Sequence, residues 1–211
     1  KRVHDSFYDE WETVRNSVGT ALQNSVRKDV KYARARNYDT ALEAALDGPN
    51  IPPAVYETLT NTVRANLDVL HQHAELKRRA LNIDSLNMWD LYVPITGDEG
   101  PTVEYEQAKQ YIIDALAPLG EAYQSRVAEG LESRWVDVYE NKGKRSGAFS
   151  AGTYDTQPYI LMNYQDTISS MYTLAHELGH SMHSELAKEA QPWHYSDYTI
   201  FVAEVASTVN E

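Results

Sequence analysis

The sequence predicts a mostly α chain of the α+β class: a helical portion over residues 1–134, then a small β-sheet and further helices over residues 135–211. Three observations carry this. Before Arg134, apolar residues recur mostly at steps of three and four, the period of helices with one buried face. After Arg134 the pattern changes to short segments bounded by glycine or turn residues and rich in aromatic and aliphatic side chains. Helical spacing then returns at Asp166.

Taken in order, Val3, Phe7, Trp11, Val14 and Val18 make the first stripe. Asp39 is expected to cap a helix from Thr40 to Leu46, which Asp47-Gly48-Pro49 closes. Pro52-Pro53 opens the next. Its stripe of Val55, Leu59, Val63, Leu67, Leu70 and Leu76 continues to Leu81 and predicts the longest helix of the chain. Trp89 to Ile95 reads as extended, Gly97 to Pro101 as a turn and Glu104 to Leu116 as a helix; Pro118 and Gly120 precede another through Glu121 to Leu131. Trp135 to Tyr139, Gly147 to Gly152 and Tyr159 to Tyr164 read as strands. Asp166 is the expected N-cap of a helix with Ile168, Met171, Ala175, Leu178 and Met182 down one face, and the run from Tyr198 is helical again. Neither end carries a start or stop signal, so the chain is expected to be a fragment of a longer protein, incomplete at its C-terminus. A cytoplasmic location is expected.

The chain has 211 residues, 42% hydrophobic and 24% charged, enough for an ordinary core and unlike a disordered tail. Lys and Arg number 19 against 31 Asp and Glu, and the net charge of -12 repels a phosphate backbone and an anionic bilayer alike. No nucleic acid and no membrane partner is expected. With no cysteine, a metal would have to rest on carboxylates and the seven histidines.

Two of those histidines fall in His176-Glu177-Leu178-Gly179-His180, an H-E-x-x-H motif on the helix after the small sheet. Histidines four apart lie on one helical face and can share one Zn²⁺, while the intervening Glu sits beside the open position as a base for water. The competing reading is a helical scaffold or interaction module in which the motif is accidental and both histidines belong to a solvated face. A third ligand is needed for hydrolytic zinc. His183 shares the face, but its Cα lies about 10.5 Å along the axis from that of His176, and Glu185 is on the far side. The motif that recruits a His six residues further on needs Gly and His where His183 and Leu186 stand. Asp197, Glu204 and Glu211 remain. Glu204, Ser207, Thr208 and Glu211 form a polar stripe opposite Phe201, Val202, Val205 and Val209, which is either a ligand face or a solvated one.

Asn141-Lys142-Gly143-Lys144-Arg145-Ser146-Gly147-Ala148-Phe149-Ser150, Pro158 to Tyr164, His176 to His183 and Ala203 to Glu211 together resemble the oligoendopeptidase F group of the thimet-oligopeptidase family of zinc metallopeptidases. Arg27 to Val30, Tyr38 to Gly48, Asp90 to Pro94 and Trp135 to Tyr139 extend the resemblance over nearly the whole chain. It implies one Zn²⁺ per chain on a zincin-type helix, held by His176, His180 and Glu204, with Glu177 as general base. The implied activity is endopeptidase cleavage of short peptide substrates by a metal-activated water. Thr208, Glu211 and Asp166 are candidates for orienting the imidazoles. The edge of the Gly147 to Gly152 strand is a candidate for holding extended peptide, and it offers no carboxylate to grip a free α-amine. Members of this family are much longer, and residues completing their active site lie beyond the position of Glu211. The isolated chain is therefore expected to be weakly active or inactive. Nothing in the sequence specifies an oligomeric state.

Overall fold

Helices dominate the computed structural model, which describes residues 1–96 and 100–211. The described residues are mostly helical with one small three-stranded sheet, as the spacing predicts. They fall into two compact units, Lys1–Asp98 and Glu99–Glu211. No helix is long and apolar enough to cross a membrane among the described residues.

The first unit contains α1 (Arg2–Thr13), α2 (Arg15–Ala35), α3 (Ala41–Asp47), α4 (Pro53–Ala65) and α5 (Leu67–Ala80). The helix expected to be the longest is two helices. Asn66 leaves helical geometry at φ -116°, ψ 15°, and its Nδ2 donates to the Thr62 carbonyl at 2.8 Å, a local side-chain bond that competes with the helix ladder. Thr40, not Asp39, caps α3. Its hydroxyl accepts from the Glu43 amide at 3.0 Å while the Glu43 carboxylate accepts from the Thr40 amide at 3.3 Å, a reciprocal capping box. The segment expected to be extended from Trp89 begins instead as a 3₁₀ turn, Met88–Asp90, because Asp90 Oδ2 accepts from the Asn87 amide at 2.8 Å and curls the chain. The turn expected from Gly97 to Pro101 lies largely outside the described residues.

The second unit contains α6 (Tyr105–Ala115), α7 (Glu121–Glu132), β1 (Val136–Asp137), β2 (Phe149–Ala151), β3 (Tyr159–Leu161), α8 (Ile168–Ala190) and α9 (Ile200–Asn210). The sheet order is β1-β3-β2, with β1 parallel and β2 antiparallel to β3, and Ile160 opposite both Val136 and Ser150. Each strand is shorter than its sequence segment suggests. Ile112, Val127, Ile160, Leu174, Leu178 and Met182 come from both sides of the sheet–helix layers and share one core. Asp166 does not cap α8: it sits at φ 53° with its carbonyl accepting from the Val103 amide at 2.9 Å, and Thr167 takes the cap.

Gly130 of α7 shows how tightly this unit is packed. A Cβ there would come within 2.4 Å of the Trp135 indole, which is buried and has the Arg126 guanidinium 5.4 Å from its ring centre. An overpacking cost of about 1–3 kcal/mol exceeds or cancels the ~1 kcal/mol that Ala gains over Gly in a helix. Gly130→Ala is therefore expected to lower the midpoint of urea unfolding followed by circular dichroism. A raised midpoint would show that the indole has room to shift.

Candidate metal centre

The motif histidines owe their placement to α8. Thr167 starts it, its hydroxyl accepting from the Ser170 amide at 3.1 Å, and Leu174, Ala175, Leu178 and Met182 anchor one face in the core. His176 and His180 are left half-buried on the other side, their Nε2 atoms 3.1 Å apart. Two imidazole nitrogens at that distance cannot both present lone pairs unless a proton or a cation lies between or beside them.

A third group reaches them from α9. This helix crosses α8 where Gly179 offers no side chain: a Cβ at that position would lie 2.6 Å from Ser207 Cα and 2.7 Å from the Ala206 carbonyl oxygen. Two contacts fix the pair at its ends. Buried Asn210 donates from Nδ2 to the Ala175 carbonyl at 3.2 Å and accepts from the Tyr123 hydroxyl at 2.9 Å. Ahead of α9, the Tyr198 ring stacks on His183 with centroids 3.7 Å apart, and its hydroxyl meets Ser184 Oγ at 2.6 Å. Glu204 Oε2 then stands 3.3 Å from His176 Nε2 and 3.6 Å from His180 Nε2. One ligand atom from each of His176, His180 and Glu204 lies within 4.8 Å of the others.

His183, Glu185 and Asp197 are packed or paired away from this centre. Burial against Tyr198 lowers the pKa of His183, whose Nδ1 is buried without a hydrogen bond. Glu185 takes the Arg126 guanidinium, with Nε to Oε2 at 2.8 Å, and Asp197 Oδ1 accepts from the Tyr198 amide at 3.0 Å. Glu211 comes back to the centre, its Oε1 2.6 Å from His176 Nδ1. An Nδ1–H donated to that carboxylate leaves the Nε2 lone pair facing Glu204 and His180, the orientation a metal ligand requires. Among the residues considered for orienting the imidazoles, the structure brings Glu211 to a ring nitrogen.

Glu177 is buried beside the histidines, and its Oε2 has no hydrogen-bond partner. Burial raises its carboxyl pKa above the usual range; His180, His176 and the Ser150 backbone N–H pull the other way without cancelling it, and Glu204 adds to the rise. A carboxyl whose pKa is raised by burial has the character of a proton acceptor and donor.

Two imidazoles and one carboxylate, converging without cysteine, make a donor set suited to zinc, and three protein ligands leave a coordination position open. The residues present thus fit the metal. Ser150, Ser181 and Asn210, which shape the centre, lie within segments that carry the resemblance and Tyr198 outside them, but their residue types mark none of them; of the positions that fix the α8–α9 crossing, only Gly179 lies within H-E-x-x-H.

Residues 1–211 match peptidase family M3. The chain is 48% identical over its whole length to oligopeptidase PepF of Bacillus subtilis and 42% identical to group B oligopeptidase PepB of Streptococcus agalactiae, covering 32% and 35% of their lengths. It spans about a third of the curated relatives it matches. Among solved structures, oligoendopeptidase-F of Enterococcus faecium superposes with a TM-score of 0.61 at 31% identity, over 97% of this chain and 28% of that one. A Chlamydophila abortus structure superposes with a TM-score of 0.79 at 38% identity, over 95% and 33%. The chain belongs to peptidase family M3.

Proposed function

We propose that this chain carries the zinc ligands and general base of an endopeptidase that cleaves internal bonds of short oligopeptides. The reading rests on the convergence of His176, His180 and Glu204 beside the buried carboxyl of Glu177. In a scaffold with an accidental motif, nothing would require Glu204 to face both histidines across a separate helix. The names of the relatives and the family agree with peptide hydrolysis.

His176, His180 and Glu204 would hold one zinc per chain, which when bound would supply a Lewis acid able to acidify water and polarise a carbonyl. Glu177 accepts the proton of the attacking water at its carboxylate and returns it to the leaving amine. Glu211 holds His176 in the tautomer that exposes Nε2. β2 is the outer strand of its sheet among the described residues, so its free edge can pair with an extended peptide through backbone hydrogen bonds, independently of side-chain sequence. Gly147 to Gly152 contains no acid to bind an α-amine, which favours internal cleavage.

In the full-length protein, His176→Ala, His180→Ala and Glu204→Ala are each expected to lose stoichiometric zinc on dialysis, measured by atomic emission. Glu211→Gln is expected to keep the metal with an affinity lower by about 10–100-fold, the usual effect of removing a partner of a ligating histidine. Tight zinc in Glu204→Ala together with its loss in Glu211→Gln would exchange the roles of these two acids. Glu177→Gln preserves shape and cannot accept a proton, so it is expected to retain zinc and lose about 10²–10⁴-fold in kcat on a quenched fluorescent peptide. Turnover near the parent value would remove Glu177 from the mechanism, and undiminished cleavage after chelation would remove the metal.

A further inference from the structure

Ser181 is a hydroxyl with no exposure to solvent, placed between His180 and the core residue Met182. Burying a hydroxyl is costly unless it is hydrogen-bonded, and Ser181 is bonded on both sides. Its Oγ–H donates to the Glu177 carbonyl one turn back at 2.9 Å, and its oxygen lies 2.8 Å from Ser150 Oγ on β2. A serine has one hydroxyl proton. With that of Ser181 committed to the carbonyl, the Ser150 hydroxyl is the donor between the two. Ser150 therefore reaches Glu177 through the hydroxyl relay to its carbonyl.

This link joins an outer strand to the helix at the residue assigned as base. Ile160 of β3 holds Ser150 by backbone pairing from one side, so β2 is clamped between β3 and α8 while its other edge stays free. An apolar pair at these positions would also fill the space, but it would let the strand slide by a fraction of an ångström along the helix. A hydroxyl pair fixes one depth.

We propose that Ser150 and Ser181 are a positioning pair that holds β2 on α8 at one fixed depth beside Glu177, keeping the free edge of the strand in register with the Glu177 carboxylate. The inference rests on Glu177 being the general base. Neither serine reacts; both act through Glu177 and β2, and they would influence turnover more than substrate affinity.

The test uses the zinc-loaded full-length protein with Ser150→Ala, Ser181→Ala, the double variant, Ser150→Thr and Glu177→Gln, on a quenched fluorescent oligopeptide. Each alanine variant is expected to lower kcat about tenfold, below the ~100-fold that a misplacement of about 1 Å can cost, with KM and zinc stoichiometry unchanged. The double variant should be no slower than either single one, because both remove the same link. Ser150→Thr keeps the hydroxyl and should keep kcat. In the metal-free protein, Ser181→Ala should speed hydrogen exchange across residues 147–152, a readout independent of activity. If Ser181→Ala does not fold, Ser150→Ala, on a half-buried strand position, carries the test. Single variants with unchanged kcat, losses that multiply in the double variant, or a Ser150→Thr variant as slow as Ser150→Ala would each overturn the pair while leaving the base in place. Full turnover by Glu177→Gln would overturn the base assignment, and the pair with it.

Discussion

The site depends on how closely two helices can approach. α9 lies against α8 at Gly179, where the Ser207 backbone occupies the space a methyl group would need. Helices crossing at ordinary separations stand 8–10 Å apart, set by the side chains between them; removing one side chain at the crossing brings the axes nearer. That approach carries Glu204 to His176 and His180 and lets Glu211, two helical turns further along, reach the outer nitrogen of His176. Asn210 and Tyr198 fix the angle of the crossing from its two ends. The first bonds a carbonyl of the very helix it packs on, and the second spans the loop that reverses the chain.

Charge makes the arrangement incomplete by itself. His176 has a carboxylate near each ring nitrogen, His180 shares one of them, and Glu177 is buried a residue away. Two carboxylates beside two imidazoles, with the Glu177 carboxyl next to them, set acidic groups close together in a partly buried region, and a divalent cation at the point where the donors meet would offset that charge. Burial is the main reason the Glu177 carboxyl resists ionisation; Glu204 adds a little to it, and the histidines and the Ser150 N–H relieve only part.

Much of this was legible in the sequence, and the misses have identifiable physical causes. The H-E-x-x-H spacing places two imidazoles on one face of α8 because that relation is local, set by the helix itself. The third acid is not local. Spacing narrowed it to Asp197, Glu204 and Glu211, and resemblance selected Glu204; geometry required the loop from Gln191 to Thr199 and the crossing at Gly179 before Glu204 faced the histidines. The helix break at Asn66 was hidden because the apolar stripe runs on through Leu67 and Leu70, so periodicity continues where hydrogen bonding does not. Asp39 and Thr40 are both good caps, and the choice between them was made by Glu43, three residues past Thr40. Asp166 and Thr167 pose the same ambiguity, settled when Asp166 turned its carbonyl toward Val103. The bonding of Ser181 was invisible: nothing in a sequence tells a buried, doubly bonded serine from one on a solvated face.

Trp135 also gives the second unit an optical signature. Its indole is sealed from water between α7 and the sheet, with Arg126 over the ring, whereas Trp11 and Trp193 are largely exposed. Trp135 is the most buried tryptophan, with Trp89 half-buried, so Trp135 should contribute most at the short-wavelength edge of the emission, and water entering this core should shift that component to the red. Residues 99–211 therefore carry their own spectroscopic reporter, set apart in colour from the solvent-exposed tryptophans.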